Sequence, residues 1–260
     1  MIKTLNNILS WFGTNRHEPK SYAPHTITFT GLDSQTDLNR LAEIQARYPY
    51  AEFGVLVSVS KTGCHPRYPD FSFIEKLKEY KSLNLSCHVC GGTLLEPIVT
   101  YGDFGYLDQF LCGNLSIFKR IQLNLGGNVN WLTKRCKHKL LRIGSFENIQ
   151  EIILQQKKKI GSIAWNVGRR KTKISVLIDP SGGKGRETKI VPKLRFLRTG
   201  YAGGINPSNA ARKFLQLKNS GICRNFWIDM ESGVRTDDWF DLDNVEAVLK
   251  EIDPLQKTSK

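Results

Sequence analysis

From His25 onward the chain repeats one pattern: a short β-branched or aromatic run, a turn, then a segment whose apolar residues return at helical spacing. The runs are HTITFT, AEFGVLVSVS, LNLSCHVCGG, RIQLNLGG, EIILQQ, ISVLID, RFLRTGYA and NFWIDM. LLRIGSF competes with EIILQQ for the fifth place. Strands that alternate with helices pair in parallel, and eight of them at intervals of about 30 residues suit a closed (β/α)8 barrel better than an open sheet. The intervening helices are read at GLDSQTDLNRLAEIQARY, with Asp33 or Ser34 as N-cap, and at FSFIEKLKEYK, GYLDQFLCGNLSIF, WLTKRCKHKLL and DNVEAVLKEI. A short WFDL insertion precedes the last of these.

This cadence predicts one barrel domain over residues 25–253, an extension over 1–24 and a disordered tail over 254–260. Within the extension, Ile2, Leu5, Ile8, Leu9, Trp11 and Phe12 have helix-like spacing. The run is too short and too polar for a membrane span, and reads as an extra helix on the barrel or a weak membrane-surface or partner-binding helix.

The chain of 260 residues carries a net charge of +14 at pH 7, concentrated at Lys134 to Arg142, Lys157 to Lys159, Arg169 to Lys173 and Lys184 to Arg198. Such a field attracts phosphates, small or polymeric. Nucleic acid is a possible partner but not the favoured one, because no aromatic ladder interleaves the lysines. Six cysteines without a dense framework point to a reducing compartment, hence the cytoplasm. Cys87 and Cys90 enclose His88 and invite a zinc reading. Strand positions three apart face opposite ways and no second CxxC exists, so neither a metal nor any other cofactor is expected.

Three glycine turns close the last three strands: Ile178 to Gly185 (IDPSGGKG), Ala202 to Pro207 (AGGINP) and Asp229 to Arg235 (DMESGVR). Glycine permits close backbone approach, and a helix starting just beyond it directs free N–H groups at whatever lies there, which favours an anion. In a barrel of this kind phosphate commonly binds beside strands seven and eight, where the glycines at 203 and 233 fall.

The motifs together resemble the phosphoribosylanthranilate isomerase family. TFTGLDSQTDL is similar to its KICG followed by a Thr and a Glu-Asp pair, HPRYP to SPRYV, RIQLN to VQLHG, and LIDPSGGKG to LLDS with a Gly-Gly-Thr-Gly loop. AGGINPSN and IDMESGVR resemble AGGLNPEN and VDVSSGVE, and the match runs in order over residues 25 to 250. The resemblance implies an Amadori rearrangement of a phosphorylated aminosugar, in which an acid opens the furanose ring and a base removes the proton at C2. It places the acid at Asp179, the substrate-binding groups at Arg67, Gln122, Gly182 and Gly183, and the phosphate cradle at Gly203, Gly204, Asn206, Ser232 and Gly233. Lys184 and Arg186 could meet a second anionic group. Arg67 would hold a carboxylate of the substrate through its planar fork.

The chain departs from the family at Thr30, where the family's base is a cysteine. An aliphatic hydroxyl does not accept a proton at neutral pH without a strong neighbouring base. Asp33, His65, Cys64, Cys90 and Glu231 are candidates for that neighbour, Glu231 because it stands where the family has a serine. Two functions follow: a diverged phosphosugar isomerase with Asp179, Thr30 and Glu231 at its centre, or a barrel that keeps a phosphoribosyl or nucleotide pocket without turnover.

Overall fold

The computed structural model describes residues 24–125, 149–156, 174–182, 185–189, 198–220 and 226–257. Eight strands close a parallel barrel in chain order: β1 (Thr26–Thr30), β2 (Ala51–Val57), β3 (Leu85–Val89), β4 (Arg120–Leu123), β5 (Glu151–Gln156), β6 (Ile174–Ile178), β7 (Thr199–Tyr201) and β8 (Phe226–Met230). Closure is made by β8 against β1, with Thr28 opposite Asp229 and Phe29 opposite Met230. The fold is therefore the (β/α)8 barrel that the cadence predicts. EIILQQ is the fifth strand; the competing LLRIGSF, the helix at WLTKRCKHKLL, the extension over 1–23, Gly183, Lys184 and much of the basic middle lie outside the described residues.

Outside the barrel lie α1 (Leu38–Arg47), α2 (Phe71–Lys76), α3 (Gly92–Tyr101), α4 (Gly105–Phe110), α5 (Ala210–Asn219) and α6 (Leu242–Lys257). Alternate strand residues such as Ile27, Phe29, Phe53, Val55 and Ile121 join Leu41, Ile44, Phe214 and Val248 of the helices in one buried cluster. Burial of each such side chain contributes roughly 1.5–3 kcal/mol, and this layer is the main source of stability.

Several local readings need correction. The N-cap of α1 is Asp37, whose carboxylate accepts from the amides of Asn39 and Arg40, rather than Asp33 or Ser34. Asp33 is buried and serves a distant partner: its Oδ2 accepts the Phe240 amide at 2.5 Å and lies 3.4 Å from Arg235. It thereby anchors the two-stranded hairpin of β9 (Arg235–Thr236) and β10 (Trp239–Phe240), whose second strand is the start of WFDL. The stretch GYLDQFLCGNLSIF is interrupted after α4, where Cys112 and Gly113 take positive φ (53° and 78°), and resumes as a single 3-10 turn over Leu115–Ile117. The last helix runs through Pro254 to Lys257, past the expected boundary at 253.

The inward faces of the strands are polar to a degree unusual for this fold, whose interior is ordinarily filled by branched aliphatics. At the N-terminal end of the barrel Arg120 donates to Glu52 (2.8 Å) and Glu151 (2.6 Å), and Arg198 to Glu151 (2.7 Å) and Thr26 (2.6 Å). Both guanidinium groups lie against the Trp227 ring, 4.5 and 5.2 Å from its centre. Gly200 makes room for that ring, since a Cβ there would stand 2.1 Å from it. Ile153, Leu177 and Trp227 form a small apolar layer. One inward step further along β5, β6 and β8 come Gln155, Asp179 and Asp229.

Candidate active site

A cavity of about 460 Å³ opens at the C-terminal end of the barrel, where this fold assembles its functional groups. Thr30, Asp179 and Glu231 line it, as do Arg67, Gln122 and Gly182. Gly203, Gly204, Ser232 and Gly233 form another part of its wall. Asn206 does not: its Oδ1 accepts from the backbone and hydroxyl of Ser208 (3.0 and 2.7 Å), so it closes its own turn rather than reaching the cavity. Asp33 and Cys64 are likewise absent from the lining, whereas His65 and Cys90 belong to it.

The loops after β7 and β8 touch each other. A Cβ on Gly233 would lie 2.0 Å from the Ile205 carbonyl, so only glycine lets the two backbones approach this closely. The segment 185–189 lies over both: a Cβ on Gly185 would meet Ser232 at 2.8 Å, one on Gly204 the Glu187 backbone at 2.3 Å, and one on Gly203 the Thr188 hydroxyl at 2.2 Å. Gly203 (φ 116°) and Gly204 (φ 62°) also need conformations that side chains disfavour. Among the described residues no protein acceptor takes the N–H of Gly203, Gly204, Ser232 or Gly233. The amide of Gly182, by contrast, donates to the Asp179 carbonyl at 3.1 Å. Four uncommitted amides on two adjoining turns are a ready anion cradle.

At the barrel centre two carboxyl groups differ in setting. Asp179 Oδ1 accepts from the amide and hydroxyl of Ser181 (3.1 and 2.7 Å), and its Oδ2 from Gln155 Nε2 (2.9 Å). Asp229, one step inward from Glu231, accepts from Thr30 Oγ1 at 2.7 Å. Burial pushes the Asp229 carboxyl up to about 8, with the charges of Glu52, Glu231 and Asp179 adding and the Thr30 hydrogen bond opposing. The sequence reading missed Asp229; the only hint was a charged residue at an inward position of the last strand.

Beside this pair stands His88. Its Nδ1 is 3.5 Å from Thr30 Oγ1 and 3.0 Å from Gln122 Nε2, and its Nε2 is 3.1 Å from Ser86 Oγ. Burial, with Arg120 adding, lowers its pKa to about 3, so the ring is neutral. Gln122 then gives the Nδ1 its proton partner, and Ser86 receives the Nε2 hydrogen. Gly54 leaves the space in which His88 and Thr30 meet; a Cβ there would be 2.8 Å from one and 2.9 Å from the other. Cys90 accepts from Asn124 at 3.0 Å, and burial pushes its thiol up, away from reactivity. Among the described residues no group of three or more His, Cys, Asp and Glu side chains could hold a metal, and no helix is long and apolar enough to cross a membrane.

Arg67 is committed. Its Nη1 donates to Glu231 (2.9 Å) and Ser232 Oγ (3.3 Å), and its Nε and Nη2 both lie 2.7 Å from Asp238. The fork that the resemblance assigns to a substrate carboxylate is occupied by the protein's own carboxylates.

A scan of protein-family models and a search of curated proteins return no match to the chain. Among solved structures it is similar to N-(5′-phosphoribosyl)anthranilate isomerase from Pyrococcus furiosus, at 12% identity over 88% of this chain and 99% of that one, with a TM-score of 0.53. Phosphoribosyl anthranilate isomerase from Thermococcus kodakaraensis is similar at 12% identity over 88% and 98%, with a TM-score of 0.51. At such identities the likeness concerns architecture, and the chain has the barrel fold of these isomerases.

Proposed function

We propose that the cavity binds a ribosyl 5-phosphate compound and isomerises it from aldose to ketose. The observation that carries this reading is the pairing, in one cavity, of four uncommitted amides after β7 and β8 with two carboxyl groups in contrasting environments, Asp179 and Asp229. Two carboxyls that converge on one cavity in different hydrogen-bonding surroundings are a usual basis of acid–base work.

In this reading the amides of Gly203, Gly204, Ser232 and Gly233 hold the phosphate. Asp179 protonates the furanose ring oxygen as the bond from that oxygen to C1 breaks, which leaves an iminium on the N-linked group. Asp229 then takes the proton from C2, and the resulting enolamine gains a proton at C1 while its C2 hydroxyl gives one up, leaving the C2 carbonyl of the ketose. A carboxyl held at about 8 has nearly the proton affinity of an unperturbed thiol, about 8.5, so Asp229 can replace the family's cysteine from beside Thr30. Thr30 positions that base rather than acting as one. Glu231, paired with Arg67, is a poorer candidate for it.

The test uses ribose 5-phosphate in deuterated water, where NMR follows exchange at C2 without any choice of N-linked group. Exchange should appear with the wild-type protein, rise as pH approaches 8 and vanish in both Asp179→Asn and Asp229→Asn. Tight binding of ribose 5-phosphate without exchange would leave a binding protein instead of an isomerase.

A further inference from the structure

Three features of the cavity wall beside the amide cradle bear on what the ribose carries. Arg67 is the cation there that a substrate carboxylate would seek, yet it is enclosed by Glu231 on one edge and Asp238 on the other. Two carboxylates thus share the one guanidinium, and Arg235 beside them donates to the Asp238 carbonyl at 2.6 Å and pairs with Asp33. The neighbouring cation, Lys61, sits over the Tyr68 ring, 5.3 Å from its centre. An incoming carboxylate would have to displace one resident anion and approach the other, both of which repel it.

The third feature is an acceptor. Gln122 is 3% exposed and lines the cavity. Both hydrogens of its Nε2 are spent, on His88 Nδ1 (3.0 Å) and Asn124 Oδ1 (2.9 Å). Its Oε1 is buried and has no hydrogen-bond partner among the described residues. A buried acceptor without a donor is costly, and a ligand N–H is the natural way to satisfy it.

Resting on the phosphoribosyl reading above, we propose that the N-linked group of the ligand is neutral or cationic and donates hydrogen bonds, and that a carboxylate next to the glycosidic nitrogen is selected against. Glu231 is the specificity-determining residue, because it occupies the guanidinium edge that faces Ser232 and the cradle.

Calorimetric titration of the full chain with three compounds tests this: ribose 5-phosphate, uridine 5′-monophosphate and orotidine 5′-monophosphate. The last two differ only by a carboxylate beside the glycosidic nitrogen. We expect all three to bind, the uridine compound about tenfold or more tighter than the orotidine compound. Glu231→Gln, which frees one edge of Arg67, should shrink that ratio to about threefold or less. Equal or tighter binding of the orotidine compound, with ribose 5-phosphate still bound, overturns this inference alone. An unchanged ratio in Glu231→Gln removes Glu231 from the selection. Failure of ribose 5-phosphate itself to bind removes the phosphate reading and this inference with it.

Discussion

Thr30 Oγ1 lies 2.7 Å from Asp229 Oδ1, joining the ends of the first and last barrel strands by a hydrogen bond that spans the closure of the sheet. The contact places a carboxyl group of β8 beside a β1 side chain that lines the cavity. Because that carboxyl is buried, its proton affinity follows from closure of the barrel.

Asp229 makes stability fall with pH. Its pKa is about 8 in the folded chain and 3.8 in the reference state, so between these values the folded state holds the extra proton. That contribution is full below about 4 and is lost as pH rises to about 8, with a limiting slope of about 1.4 kcal/mol per pH unit. Asp229→Asn removes it. Urea unfolding should show the stability of wild type relative to this variant declining between pH 5 and pH 8, with the variant the more stable at pH 8. A pH-independent difference would mean that Asp229 is ionised throughout.

His88 acts in the opposite sense. Its pKa falls from 6.5 to about 3 on folding, so its contribution is complete above 6.5 and is lost as pH drops toward 3. The stability of wild type relative to His88→Gln should therefore decline from pH 7 to pH 5, where Asp229 alone would make wild type gain. Direct detection of a neutral His88 ring at pH 5 by NMR checks the same point.

The ionic network at the other end of the barrel is structural. Arg120 is buried between Glu52 and Glu151, and Arg120→Met leaves both acids without that partner. Thermal or urea unfolding should report a loss of about 3–5 kcal/mol. Partial recovery on adding Glu52→Gln would identify the uncompensated carboxylate as the cause.

Gly233→Ala separates the β7 and β8 loops, since the new methyl would fall 2.0 Å from the Ile205 carbonyl. Ribose 5-phosphate affinity should drop by on the order of a hundredfold, as two or more charge-assisted amide contacts are lost. Circular dichroism should still show a folded barrel.

How much of this was legible in the sequence depended on the range of the interaction concerned. The strand at EIILQQ and the turns at 203 and 233 are written in local periodicity and glycine placement, which is why they were recoverable. The helix over Gly92–Tyr101 escaped because its local signals oppose a helix: glycines stand at positions 91 and 92, where it starts, and Pro97 sits within it. Asn206 closes its loop, and the Asn-Pro-Ser-Asn turn satisfies its side chain from within, for an equally local reason. Asp229 and His88 needed the closed barrel: their partners Thr30 and Gln122 are remote in the chain, and no spacing rule joins them. Arg67 shows the converse, for its motif suggested a substrate fork while Glu231 and Asp238, far along the chain, occupy it.

The proposed function stands on the amides after β7 and β8 gripping a phosphate. Titrating isotopically labelled protein with ribose 5-phosphate and following backbone amide resonances tests it directly. Gly203, Gly204, Ser232 and Gly233 should shift together and saturate at one ligand concentration. Shifts confined to other parts of the chain, with these four amides unmoved, would contradict it.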